Sequence, residues 1–381
     1  MLKRVFFYIK IFLLYILTGI LGLVVPKDKK LTVCVSSKGK YYNGNSKALF
    51  EYMLSRDKKV FFFVSNKELY RELKEKKIKN IIYQYSLEGF KIFLRARTIC
   101  FTHGQVDLLG YMQSPLQNWI YLAHGIGTKA LGFLREDMSL KEKFWVFLER
   151  RFYITMTSDF TKYMYISEML INPKKVFVTG FPRNDVLYAN RDKQKNKLNT
   201  ILYAPTCKEG DITKLFPFPD FKKESIGNDL QKWDMELYLR FHPNNYKESR
   251  EEITDILKSS KRIIDKSPDS VQDVQDILPE IDILVTDFSS ISRDFLFLDR
   301  PMIFIMNGLE ELGNLALPIR KEFAFCGYQV YTYKEFSDAI KEILEGKDRY
   351  SEIRSFVRDL HYNYVDANSS KRIMELIEIL A

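Results

Sequence analysis

The sequence predicts an α/β protein of two Rossmann-like domains preceded by an amino-terminal membrane-associating helix. Short apolar runs suited to parallel strands buried on both faces alternate with stretches of helical spacing along most of the chain. The alternation breaks at the charged run 190–199, NRDKQKNKLN, which has no apolar periodicity and reads as a linker. At 381 residues with 46% hydrophobic composition, the chain exceeds one typical domain. The expected division is an apolar segment over 1–26, a first domain over 27–190, a linker over 191–200 and a second domain over 201–381.

Residues 5–25 are apolar except for Lys10 and Thr18, with Lys3 and Arg4 before them and Lys27, Lys29 and Lys30 after. The uncharged run from Ile11 to Val25 makes about 22 Å of helix against a hydrocarbon core of about 30 Å. In-plane insertion is therefore expected ahead of a full span, which needs Lys10 to snorkel. No small-x-small cleavage site follows, so a secretory signal is disfavoured.

In the first domain, strands are expected at 31–37, 60–65, 81–85, 98–103, 119–125, 154–160 and 176–180. TICFTHG and WIYLAHG both run out into His-Gly, which places His103 and His124 at the carboxyl edge of the sheet, where α/β proteins bind ligands. For His103 a structural role, hydrogen-bonded to a neighbouring loop, stands beside the functional one. After His124 come Gly125, Gly127, Thr128 and Lys129, a backbone that admits a ligand and a hydroxyl and cation for an anion, without the Walker A spacing. The Gly-x-Pro turn GFPRND places Arg183 just beyond the sheet, to hold a phosphate or carboxylate or else to pair with Asp185. Residues 139–152 mix aromatics with lysines and arginines; a core helix with a solvated basic face is the commoner reading, a membrane-facing helix the other.

The second domain opens with ILYAPT, ending in Thr206, and continues with strands at 236–241, 262–265, 283–286, 302–306 and 328–332. His242 follows Arg240 at the end of one strand, and Pro243 forces an extended exit. The run ILVTDFSS places Thr286, Asp287, Ser289 and Ser290 at a strand-to-helix turn, where serines either cap the helix or, with its N-terminal N–H groups, hold a phosphate. Ser369 and Ser370 stand at the start of a last helix. Two such halves facing a cleft form the glycosyltransferase-B architecture.

A net charge of +10 favours a polyanionic partner, either an acidic membrane or a phosphate-rich substrate. No nucleic-acid-binding signature accompanies it. Cys34, Cys100, Cys207 and Cys326 are scattered, so neither a zinc site nor a disulfide framework is indicated, and the body of the protein is expected in a reducing compartment. No metal-ligand spacing of carboxylates occurs, although magnesium carried by a nucleotide is compatible with the sequence.

In order, HGIGTK (124–129), GFPRNDVL (180–187), ILYAPT (201–206), RFHP (240–243), ILVTDFSSISRDFLFLDRPMIF (283–304) and DANSSKRI (366–373) resemble the motifs of the CDP-glycerol:poly(glycerophosphate) glycerophosphotransferase family. The resemblance implies an enzyme at the cytoplasmic face of the membrane that moves glycerol phosphate from CDP-glycerol to a lipid-linked glycan or glycerophosphate acceptor, releasing CMP. It implies no tightly bound cofactor. It makes His124 and His242 the essential pair; His124 is the expected general base and His242 the group that binds or protonates a phosphate oxygen, two assignments that can be exchanged. It associates Thr286, Asp287, Ser289, Ser290, Ser369 and Ser370 with the nucleotide diphosphate, and places Gly125, Thr128, Lys129, Arg183, Thr206 and Arg240 around the substrates. CDP-ribitol, a nucleotide sugar, or an inactive membrane-anchored scaffold of the same fold are the rival readings.

Overall fold

The computed structural model describes residues 2–127, 132–135, 138–191, 198–206, 214–241, 250–268, 270–308 and 321–381. Thr128, Lys129, Cys207, His242 and linker residues 192–197 lie outside these. The contacts divide the chain into two units, 1–124 with 135–185 and 366–381, and 125–134 with 186–365.

The first unit is built on seven strands: β1 (Asp28–Val35), β2 (Val60–Val64), β3 (Ile81–Tyr83), β4 (Ala96–Phe101), β5 (Asn118–Tyr121), β6 (Tyr153–Met156) and β7 (Val176–Val178). They pair in parallel in the order β3-β2-β1-β4-β5-β6-β7. Both faces are apolar because both are covered: Val33, Phe63, Phe93, Trp119 and Phe152 fill one side, Cys34, Phe50, Phe62 and Leu122 the other. Strand order reverses between β1 and β4, the switch point at which the loops leaving neighbouring strands diverge and open a crevice.

Helix Leu2–Val24 lies against this unit on one face only. Thr18 Oγ1 accepts the Met112 N–H at 2.9 Å, and Ser114 Oγ donates to the Gly22 carbonyl at 2.6 Å. Gly22 allows that approach, since a Cβ there would lie 3.1 Å from Ser114 Cβ. The opposite face exposes Ile9, Phe12, Leu13, Ile16, Leu17, Ile20, Leu23 and Val24, a continuous stripe at helical spacing. Among the described residues no helix is long and apolar enough to cross a membrane, so the full span is not supported. Helix Leu140–Glu149 also departs from the commoner expectation: Leu140, Phe144 and Phe147 point outward, so its exposed face is apolar as well as basic.

The second unit holds β8 (Thr200–Tyr203), β9 (Glu236–Leu239), β10 (Ile263–Asp265), β11 (Ile283–Thr286), β12 (Met302–Ile305) and β13 (Tyr328–Val330). They are parallel in the order β10-β9-β8-β11-β12-β13, with the reversal between β8 and β11. An aromatic cluster of Tyr203, Phe216, Phe218 and Phe336 closes one face.

The domain expectation needs correction in two places. Residues 125–134, expected in the first domain, group with the second unit, and residues 366–381 return to the first, where Ile373 and Ile377 of helix Ser369–Leu380 join the core beside Phe50 and Phe62. Its apolar stripe fits the face of the first sheet that the earlier helices leave open.

Candidate active site

At the carboxyl edge of the first sheet, next to the switch point, β4 and β5 deliver His103 and His124 side by side. Their rings stack with centroids 4.7 Å apart and planes at 16°. The turn before His124 is shaped by Asn45, a buried residue in helix Gly44–Leu54 whose Nδ2 donates to the Leu122 and Ala123 carbonyls, both at 2.9 Å. Ala123 is thereby held at φ +55°, a left-handed conformation that L-residues rarely adopt. Asn45 Oδ1 also accepts the Arg183 N–H at 3.2 Å, and the Arg183 guanidinium donates to the His124 carbonyl at 2.5 Å. Arg183 thus braces the histidine turn from the edge of the site rather than pairing with Asp185.

His124 keeps an open outer edge, with the Tyr121 hydroxyl and the Thr102 carbonyl 3.5 and 3.4 Å from Nδ1. Crowding by protein atoms on the sheet side, then His103 and Arg183, lowers its pKa to about 4. It is therefore neutral at pH 7 and able to accept a proton, though weakly.

Two further groups complete this edge. Asp107 is fully buried and accepts N–H bonds from Lys38 (2.6 Å), Thr102 (2.8 Å) and His103 (2.9 Å). Burial raises its pKa and those donors oppose the rise. Glu149 lies over the His103–Gly104 turn, where a Cβ on Gly104 would come within 2.7 Å of its carboxylate, and burial pushes its pKa up to about 7. Neither acid belongs to a recognised motif; only the four-residue spacing from His103 to Asp107 hinted at a pairing.

In the second unit the Asp287 carboxylate binds Thr206 twice, through its N–H at 3.0 Å and its hydroxyl at 2.5 Å. Burial raises the Asp287 pKa while Thr206 lowers it. Thr286 is buried beneath them and donates to the Ala204 carbonyl at 2.7 Å, so it ties β11 to β8. Arg240 donates to the carbonyls of Lys266 (2.6 Å), Val271 and Gln272 (3.2 Å), and burial lowers its pKa to about 10. These residues form the floor of the second edge.

The half-buried Ser289 and Ser290 lie above it, but the expected cap is absent: Ser290 makes no side-chain cap bond, and the helix it starts, Ile291–Phe295, is a single short turn. Ser369 and Ser370 stand elsewhere. They are buried in the first unit, and their N–H groups donate to the Asp185 carboxylate at 2.9 and 2.8 Å. Gly125 follows His124 directly, half-buried, whereas Thr128, Lys129 and His242 belong to the undescribed residues. Among the described residues no group of three or more His, Cys, Asp or Glu is placed to hold a metal ion.

Two parallel α/β sheets, each with a switch point in its strand order, give the glycosyltransferase-B fold, and solved structures of that fold superpose on the chain. A histidine variant of the wall teichoic acid polymerase TagF soaked with CDPG matches 93% of this chain and 89% of its own, with a TM-score of 0.74 at 19% identity. The chain belongs to the CDP-Glycerol:Poly(glycerophosphate) glycerophosphotransferase family, whose model matches residues 19–379. The teichoic acid glycerol-phosphate transferase of Staphylococcus aureus is 25% identical over 378 residues, 92% of this chain and 93% of the relative. The teichoic acid ribitol-phosphate polymerase TarL of the same organism is 27% identical over 283 residues, 69% of this chain and 47% of the relative.

Proposed function

We infer that the protein transfers glycerol phosphate from CDP-glycerol to a hydroxyl of a lipid-linked acceptor in teichoic acid synthesis, releasing CMP. The observation that carries this is the family match over residues 19–379, together with a glycerol-phosphate transferase relative matched over nearly its whole length. The acceptor oxygen attacks the phosphorus that bears glycerol, a new P–O bond forms, and the bond to CMP breaks with the electron pair leaving on CMP. The acceptor's proton passes to the stacked histidines at the edge of the first sheet, and fixed donors offset the charge on the phosphates. In this scheme Ser289, Ser290 and Thr206 face the nucleotide diphosphate, and magnesium, where used, arrives with it.

The exposed stripe of helix Leu2–Val24 supports a place in the plane of the cytoplasmic leaflet. Exposed Lys10, Lys29 and Lys30 then meet anionic head groups, each worth about 1 kcal/mol near such a surface. CDP-ribitol is the second reading, favoured by the ribitol-phosphate polymerase relative.

The test is CMP release by the purified protein from CDP-glycerol, CDP-ribitol and a UDP-sugar, with and without a lipid-linked disaccharide or glycerophosphate-primed acceptor. Acceptor-dependent release confined to CDP-glycerol is expected. Release from CDP-ribitol alone overturns the donor, and release from none of the donors overturns the enzymatic reading.

A further inference from the structure

Helix Leu140–Glu149 ends on a carboxylate that the transfer scheme leaves unused. Its position is costly. The last residue of a helix meets the negative end of the helix dipole, and Glu149 is half-buried besides. Among the described residues its carboxylate has no hydrogen-bond partner, and burial pushes its pKa up to about 7 with no donor opposing the rise. Asp107, at the same edge, differs, since three N–H groups converge on it.

The neighbours of Glu149 show what it faces. Gly104, at φ +83° and directly after His103, leaves the room that Glu149 Oε1 fills, for a Cβ there would lie 2.7 Å away. Tyr121 of β5 and Tyr165 of helix Asp159–Met169 stand close by, with ring centroids 6.2 Å apart. Burial and then the Glu149 charge raise the pKa of Tyr121; burial, then Tyr121, then Glu149 raise that of Tyr165. Both tyrosines are half-buried. The Tyr121 hydroxyl lies 3.5 Å from His124 Nδ1, and the Tyr165 hydroxyl has no hydrogen-bond partner among the described residues. A carboxylate and two phenols thus line the wall beside the stacked histidines.

This set of groups suits one chemistry. A carboxylate repels phosphate, so the anionic parts of both substrates are excluded from it, whereas a hydroxyl that donates to an ionised oxygen makes a short, strong bond. The phenols add a polar tip and an apolar face for C–H groups. Polyols and sugars carry a second hydroxyl beside the one that attacks. We propose that Glu149, with Tyr165 and Tyr121, forms a subsite for the acceptor in which Glu149 accepts a hydrogen bond from the hydroxyl next to the attacking one. This rests on the reading in which an acceptor hydroxyl comes to the histidine edge. In the alternative, Glu149 only covers the Gly104 turn, a role that glutamine, of the same shape, would fill.

The experiment titrates the whole protein, without donor, with short-chain forms of the lipid-linked disaccharide and of the glycerophosphate-primed acceptor, each also made without the hydroxyl next to the attacking one. Calorimetry reads the affinities of the wild-type protein, Glu149→Gln and Tyr165→Phe, and circular dichroism confirms folding. The wild-type protein should bind one full acceptor at least 10-fold more tightly than its deoxy form. Glu149→Gln should lose about 10-fold on the full acceptor and show little further loss on the deoxy form, and Tyr165→Phe should lose about threefold. In turnover, Glu149→Gln should raise KM for the acceptor about 10-fold and leave KM for CDP-glycerol within about twofold. Wild-type protein that binds neither acceptor, or does not distinguish the deoxy forms, overturns the proposal. So does Glu149→Gln with unchanged acceptor affinity, or with equal losses on acceptor and donor; if that variant does not fold, an unchanged Tyr165→Phe overturns it. Absence of CMP release by the wild-type protein would fall on the donor assignment, whereas the titrations judge the subsite by themselves.

Discussion

The proposed membrane attachment through helix Leu2–Val24 makes a quantitative demand on two side chains. Phe12 and Ile20 are 63% and 61% exposed, on the face opposite the Thr18 and Gly22 contacts. Burying a full Phe or Ile side chain is worth about 1.5–3 kcal/mol, so inserting the exposed part of each contributes about 1–2 kcal/mol. Replacing both with alanine, which retains a fraction of that area and favours the helix, should weaken partition into vesicles by about 2–3 kcal/mol, or roughly 30- to 150-fold. The assay is flotation with vesicles of mixed neutral and anionic lipid, with CMP release from a water-soluble acceptor analogue as a measure of intact fold. Thr18→Val, on the docked face, serves as control: it should lower the melting temperature and leave partition unchanged. A double variant that floats like the wild-type protein would refute the in-plane role of this stripe.

Other expectations follow from single residues. His361 is buried in the second unit with Nδ1 2.8 Å from the Val357 carbonyl, and burial, then Arg293, pushes its pKa from 6.5 down to about 3. The folded state thus binds its proton later than the unfolded state, so stability is lost as pH falls from 6.5 toward 3; by pH 5 the loss is about 2 kcal/mol in urea titrations, and His361→Gln should remove that slope. Asn45→Ala deletes three hydrogen bonds around the His124 turn, and kcat for CMP release should fall further than stability does, whereas a variant of full activity would deny the turn its importance. Asp185→Ala leaves the buried N–H groups of Ser369 and Ser370 without their acceptor, a cost of about 2–4 kcal/mol that thermal melting should register.

Much of the architecture was legible because its determinants are local in sequence. Among the described residues, thirteen short and mainly apolar runs such as VFFFV and ILVT are bounded by polar turns, as strands of a doubly covered parallel sheet are, and each forms a strand within a few residues of its expected place. His103 and His124 were visible for the same reason, since a strand end announces the edge of the sheet. What was hidden depends on distant pairing. Nothing around Asn45 signals that its amide closes a turn more than seventy residues later, and a buried aspartate such as Asp107 looks in sequence like any loop acid. The two serine pairs could not be told apart because Ser-Ser before a helix reads alike in both places. Ser369 and Ser370 meet Asp185, while Ser290 precedes a helix too short to need its side chain.

The return of residues 366–381 to the first unit bears on how the protein is made. The GFPR turn that carries Arg183 is braced from that segment: Arg372 Nε donates to the Thr179 carbonyl at 2.7 Å, and Gly180, at φ +79°, sits against Ser369. Strands β1 to β7 emerge from the ribosome some two hundred residues before these braces do. During synthesis the first sheet therefore waits with part of its apolar face uncovered while the second unit folds, and its active edge is completed only after residue 377 has appeared. A nascent or truncated chain lacking the last turns should hold a second unit that melts cooperatively beside a first unit that binds chaperones and does no chemistry.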